Sequence, residues 1–138
     1  MELTMTTAPD SAPAPDPAAS VLERLRRRFV GGPDDGRLGS TIDAARGLEL
    51  VRGGATLLDV RENQEWKAGH APAAIHVALR DIDAAPRRLR MDRPVVVVCA
   101  SGVRSRTAAK HLRALGYDAA SLSGGLTAWE RAGGEVRR

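Results

Sequence analysis

The sequence predicts an α/β fold with a central, mainly parallel sheet flanked by helices. Short apolar runs over residues 56–60 and 94–99 alternate with segments of helical periodicity. The consecutive valines Val95, Val96, Val97 and Val98 read as a central strand buried on both faces, because parallel strands covered by helices lose their polar alternation. The length, 138 residues, suits one domain plus a tail and excludes a multidomain assembly.

The elements follow in order. Residues 8–19 hold four prolines and no large apolar side chain, so they cannot offset their ordering entropy and read as a flexible tail. Ser20-Val21-Leu22-Glu23 fits a capping box that opens a short basic helix, with Val21, Leu22, Leu25 and Phe29 on one face and Gly31-Gly32-Pro33 ending it. That helix would dock on its own domain or a sister subunit, or else offer residues 20–30 to an acidic partner or a membrane surface. Residues 1–39 are thus set apart from a folded domain over 40–138.

Ser40-Thr41-Ile42-Asp43 gives a second capping signal, predicting a helix to about residue 52 that turns Ile42, Leu48 and Val51 inward. Gly53-Gly54 stops it before a strand at 56–60. A helix over 63–68, a strand at 74–77 and an arginine-rich connector come next. They lead to a strand at 94–99 and a helix over 103–115 that buries Ala108, Leu112 and Leu115. A strand at 119–122 and a helix over 126–132 complete the pattern, which is that of helices layered on a parallel sheet.

Composition removes several functions. Phe29, Trp66, Tyr117 and Trp129 are the only aromatic residues, too few for a base-stacking platform, so no nucleic-acid partner is expected. No apolar run approaches the roughly 18 residues of a membrane span, and the N-terminal stretch lacks a signal-peptide layout, so a cytoplasmic location is expected. Residues 41–138 carry sixteen bases against eleven acids, a field that suits small anionic substrates or an acidic partner. The single cysteine, Cys99, excludes an internal disulfide, a dithiol pair and a multi-cysteine zinc site.

Cys99 stands at the C-terminal end of the all-valine strand, the edge where open α/β sheets bind ligands. Ala100, Ser101 and Gly102 are small, and Gly102 gives the freedom to curl the loop into the next helix. Such a loop turns successive N–H groups inward, and the helix dipole adds positive potential; both favour a thiolate. Cys99 is therefore a candidate nucleophile, against the alternative of a small buried apolar residue. Cysteine-dependent phosphatases carry an arginine six positions after the cysteine. Ser105 stands there and arginine comes one residue earlier, at Arg104, which gives a cradle better sized for one sulfur atom than for a tetrahedral oxyanion.

Four motifs in order complete the picture: Leu58-Asp59-Val60-Arg61 with Glu62 and Trp66; Gly69-His70 with Pro72; Cys99-Ala100-Ser101-Gly102-Val103-Arg104-Ser105; and Gly124-Gly125-Leu126 with Trp129. Over roughly residues 41–134 the chain resembles the rhodanese (sulfurtransferase) family. The resemblance implies a single rhodanese-like domain whose loop cysteine carries a persulfide, with no metal and no organic cofactor. It implies that Cys99 takes a sulfur from a small anionic donor such as thiosulfate and passes it to a thiol or cyanide acceptor. The family's turn after Gly69-His70 is altered here to Ala71-Pro72-Ala73-Ala74-Ile75, and Ala100 leaves the first variable loop position uncharged.

Within that implied mechanism the amides of Ala100, Ser101, Gly102, Val103, Arg104 and Ser105 bind substrate charge, with the Ser101 and Ser105 hydroxyls as further donors. Arg104 is a candidate for orienting the donor or for bracing the loop through a carboxylate. Arg61 is a candidate for facing the same pocket, or for pairing with Glu62 or Glu65. Asp59 and His70 read as orienting residues, His70 as a turn histidine bonded to backbone, while Trp66 and Trp129 read as apolar anchors. Two further classes stand beside the sulfurtransferase: a sulfur-relay module acting with a protein partner, and a cysteine phosphatase or arsenate reductase.

Overall fold

A computed structural model describes residues 36–138; the flexible tail and the helix expected near residues 20–30 lie outside them. The described elements are β1 (Thr41–Ile42), α1 (Ala44–Arg52), β2 (Thr56–Asp59), α2 (Asn63–Ala68), β3 (Ala74–His76), a 3-10 segment (Leu79–Arg88), β4 (Val95–Val98), α3 (Val103–Ala114), β5 (Ala119–Leu122) and α4 (Gly125–Arg131). The strands form one sheet in the order β1-β5-β4-β2-β3, with every pairing parallel. The expected fold class is the one observed.

The valine run is central and fully buried. Because side chains alternate across a strand, Val96 and Val98 join Leu48, Leu50, Leu57, Leu122 and Trp129 on one side of the sheet. Val95, Val97 and Cys99 join Leu58, Ala108, Leu112 and Tyr117 on the other. The chain leaves β2 for β3 on one side and returns to place β4 on β2's opposite side. The carboxyl ends of β2 and β4 therefore flank the point where strand order reverses, the position at which such sheets form ligand crevices.

Several local expectations are corrected. Thr41 and Ile42 form an edge strand paired with Ser121 and Leu122, so the α1 cap is Asp43, which accepts from the Arg46 amide at 2.8 Å. Ile42 gains more by entering the sheet core than by beginning a helix, and Asp43 then serves as the side-chain acceptor. Leu50 takes the fully buried place expected for Val51, which is half-buried. The arginine-rich connector coils into the 3-10 segment, which buries Ile82 and Ala85 at three-residue spacing. Leu115 is exposed, because α3 ends at Ala114 and the chain turns away at Gly116. No helix among the described residues is long and apolar enough to cross a membrane.

Candidate active site

The site grows from the end of β4. Cys99 is fully buried, and its carbonyl accepts from the Leu126 amide at 2.8 Å, which fastens the start of the loop to α4. Gly125 (φ +66°) makes this fit possible: a Cβ there would press on the Ala100 backbone and lie 2.6 Å from the Cys99 carbonyl oxygen. Past Cys99 the chain turns through Ala100 and Ser101, both exposed, to Gly102, which has φ +107° and caps α3.

This turn points donors back at the sulfur. The Gly102 amide donates to Cys99 Sγ at 3.0 Å and the Ser105 amide at 3.3 Å. The Ser105 hydroxyl lies 3.4 Å from Sγ and 2.7 Å from the hydroxyl of Ser121, and both serines are buried. Burial pushes the Cys99 thiol up, but the Ser105 hydroxyl and the amides of Ser105, Gly102 and Ser101 outweigh it, so the thiol is held below its ordinary value. The net balance favours the thiolate more than in a free cysteine.

Arg104 turns from the loop to Glu65 on α2, with two nitrogens at 2.7 and 3.0 Å from the carboxylate. That fork raises the pKa of Arg104 and lowers the Glu65 carboxyl from 4.5 to about 2, while burial and the Glu62 amide act on Glu65 as smaller influences of opposite sign. Of its two sequence roles, bracing the loop is therefore the one with a partner in place.

Arg61 does not face the loop as a free cation. Its guanidinium grips Asp59, with Nη2 to Oδ2 at 2.8 Å, and donates to the carbonyls of Gly69 at 2.7 Å and Glu65 at 3.3 Å. It is buried along with Asp59, because a charge at the end of β2 must be paired and hydrogen-bonded when removed from water. Asp59 orients both the side chain and the amide of Arg61. His70 Nδ1 lies 2.8 Å from the Trp66 carbonyl, and its backbone pairs with Arg137.

Trp66 is a half-buried ring stacked on His70 at 3.6 Å and His76 at 4.8 Å, unlike the buried Trp129. Val103 and Ser101 are exposed at the loop's outer rim, and the Ala100 side chain adds no polar group. Among the described residues no cluster of His, Cys, Asp or Glu side chains could hold a metal ion.

Two members of the arrangement were not singled out from the sequence. Ser121 is the one hydroxyl in the strand Ala119–Leu122, and that break in an apolar run was its signal. Glu65 reads from the sequence only as a partner for Arg61, since nothing local shows that α2 lies beside the start of α3.

Comparison with known proteins agrees with this architecture. A family model described as the rhodanese-like domain matches residues 43–132. A rhodanese-related protein from Thermoplasma volcanium is 31% identical, with 71% of this chain and 97% of that one aligned at a TM-score of 0.64. The rhodanese-like domain of an Anabaena protein is 30% identical over 70% of this chain and 77% of that one, at 0.62. A rhodanese-like domain protein from Staphylococcus aureus is 27% identical over 72% and 99%, also at 0.62. With its parallel sheet, its cysteine at the switch point and this match over most of its length, the chain belongs to the rhodanese-like domain family.

Proposed function

We propose that the protein is a sulfurtransferase that carries a sulfane sulfur as a Cys99 persulfide. The observation that carries this reading is the convergence of two amides and a hydroxyl on the sulfur of the chain's lone cysteine at a helix N-terminus. A cysteine serving only as core filling gains nothing from such donors, whereas a thiolate needs them. The thiolate attacks the outer sulfur of a donor such as thiosulfate; the donor's S–S bond breaks and its electron pair leaves with sulfite. Cyanide or a thiolate then attacks the outer sulfur of Cys99-S-S⁻, and the electron pair of the breaking bond returns to Sγ. Loop amides stabilise the charge in both steps. The chemistry asks for no cofactor and suits a compartment that keeps thiols reduced.

Sγ is buried, while Ala100, Ser101 and Val103 of the same loop are exposed. Arg104 is held by Glu65 and Arg61 by Asp59, which leaves neither as a free clamp for sulfite. This favours, as a second reading, a relay that accepts sulfur from a protein persulfide rather than from thiosulfate. Residues 20–30 are then a candidate docking segment. A phosphatase is disfavoured by the same pairing, since the loop's arginine does not close over the sulfur.

Intact mass after exposure to thiosulfate tests the proposal. One sulfur atom added to the wild type, removed by a reducing thiol and absent from Cys99→Ala, is expected. Full thiocyanate production by Cys99→Ala would overturn it. Loading from a low-molecular-weight persulfide but not from thiosulfate selects the relay, and aryl phosphate hydrolysis lost in Cys99→Ser would revive the phosphatase.

A further inference from the structure

Three oxygen and sulfur atoms lie in a row inside the molecule: Ser121 Oγ, Ser105 Oγ and Cys99 Sγ, separated by 2.7 and 3.4 Å. Ser121 comes from β5, Ser105 from the first turns of α3, and Cys99 from the end of β4. Ser105 and Cys99 have no exposure and Ser121 has 1%, so bulk water does not complete their bonding.

The direction of the chain follows from counting protons. Each hydroxyl has one to donate. The Ser121 hydroxyl has Ser105 Oγ as its one hydrogen-bond partner among the described residues, so its proton goes there or goes unused, and an unused buried donor is costly. If Ser105 instead donated to Ser121, the Ser121 proton would have no acceptor and Ser105 would turn lone pairs toward a thiolate. With Cys99 as the thiolate, both hydroxyl protons are satisfied only when Ser121 donates to Ser105 and Ser105 donates to Cys99; the neutral thiol instead donates to Ser105 Oγ. Hydrogen bonds linked in this sense polarise and strengthen each other.

We infer that Ser121 is a positioning residue for Cys99, acting through Ser105: by occupying the Ser105 lone pair it commits the Ser105 proton to Sγ. The use of this device rests on the sulfur-transfer reading. When the acceptor removes the outer sulfur, the S–S bond breaks and its electron pair arrives on Sγ, so a donor aimed at Sγ makes Cys99 a better leaving group. The device therefore serves discharge of the persulfide, while the loop amides also serve the outer sulfur when Cys99 is loaded.

The test uses the full chain and the pH profile of Cys99 alkylation by iodoacetamide, which reads one thiol because the chain has one cysteine. Ser121→Ala should move the midpoint upward by about half a pH unit, and Ser105→Ala by at least as much. The double variant should move it no further than Ser105→Ala alone. Ser121→Val and Ser121→Thr separate packing from hydrogen bonding, since both add the same bulk: Thr should keep the wild-type midpoint and Val should shift it. An unshifted midpoint in Ser121→Ala, or equal shifts in Val and Thr, overturns the inference. The readout does not require sulfur transfer. A protein that never loads sulfur but shows these shifts loses the proposed function and keeps the positioning role of Ser121, and one that loads sulfur without the shifts does the reverse.

Discussion

Arg104 and Glu65, far apart in the sequence, meet in a two-bond fork that ties the end of the cysteine loop to helix α2. Each side chain is about one-third exposed, at 31% and 32%, so solvent screening keeps the pair near about 1 kcal/mol. The Glu65 carboxyl falls from 4.5 to about 2 on folding, chiefly through the Arg104 hydrogen bond. A depressed carboxyl stabilises the fold fully above its unfolded pKa and loses that contribution as pH falls through its folded one. Glu65→Gln should therefore be less stable than the wild type by about 1 kcal/mol at pH 6, with the gap closing between about pH 5 and pH 2. Urea unfolding across that range measures it, and a gap that stays constant with pH would contradict it.

The pair of Asp59 and Arg61 is of another kind, since both are buried and the guanidinium also serves the Gly69 and Glu65 carbonyls. Arg61→Met leaves the Asp59 charge unpaired away from water and should cost about 3 to 5 kcal/mol. Adding Asp59→Leu should recover only part of the loss, because the two carbonyls still lack their donor. A double-mutant cycle by chemical denaturation gives both quantities.

Gly125→Ala combines a left-handed φ with a Cβ placed against the Cys99 and Ala100 backbone. The variant should be destabilised by about 3 kcal/mol, and its Cys99 alkylation midpoint should rise as the loop amides move off the sulfur. Thermal unfolding and the alkylation profile check the two halves separately. A stable variant with an unchanged profile would show that the loop tolerates the displacement.

His70 bonds the Trp66 carbonyl and stacks on the Trp66 ring, which makes it part of the turn after α2. His70→Ala should lower stability by about 1 kcal/mol and leave the alkylation midpoint of Cys99 where it is. A shifted midpoint would return His70 to the chemistry.

Much of this molecule is legible in local sequence. The buried run Val95–Val98 and the apolar strand Ala119–Leu122 name two strands, and the extent of α2 over Asn63–Ala68 is the expected one. The cysteine loop reads directly because its donors are backbone groups within six residues of Cys99. The edge strand Thr41–Ile42 does not, because its two residues owe their conformation to β5, some eighty positions later. Arg61 also misleads when read locally: an arginine beside two glutamates suggests a surface pair, and only the burial of Asp59 two residues back turns it inward.

The sequence by itself determined the layered α/β fold and a lone thiol at the end of a buried strand, because strand burial and helix capping are set by neighbours along the chain. Of the six loop amides it offered, those of Gly102 and Ser105 donate to the sulfur. Tertiary structure decided what surrounds that thiol. Ser121 reaches Ser105 from β5, Glu65 holds Arg104 from α2, and Gly125 supports the loop from α4. These contacts depend on parallel strands placing distant segments at one sheet edge, and a hydrogen bond between them exists only once that geometry is built.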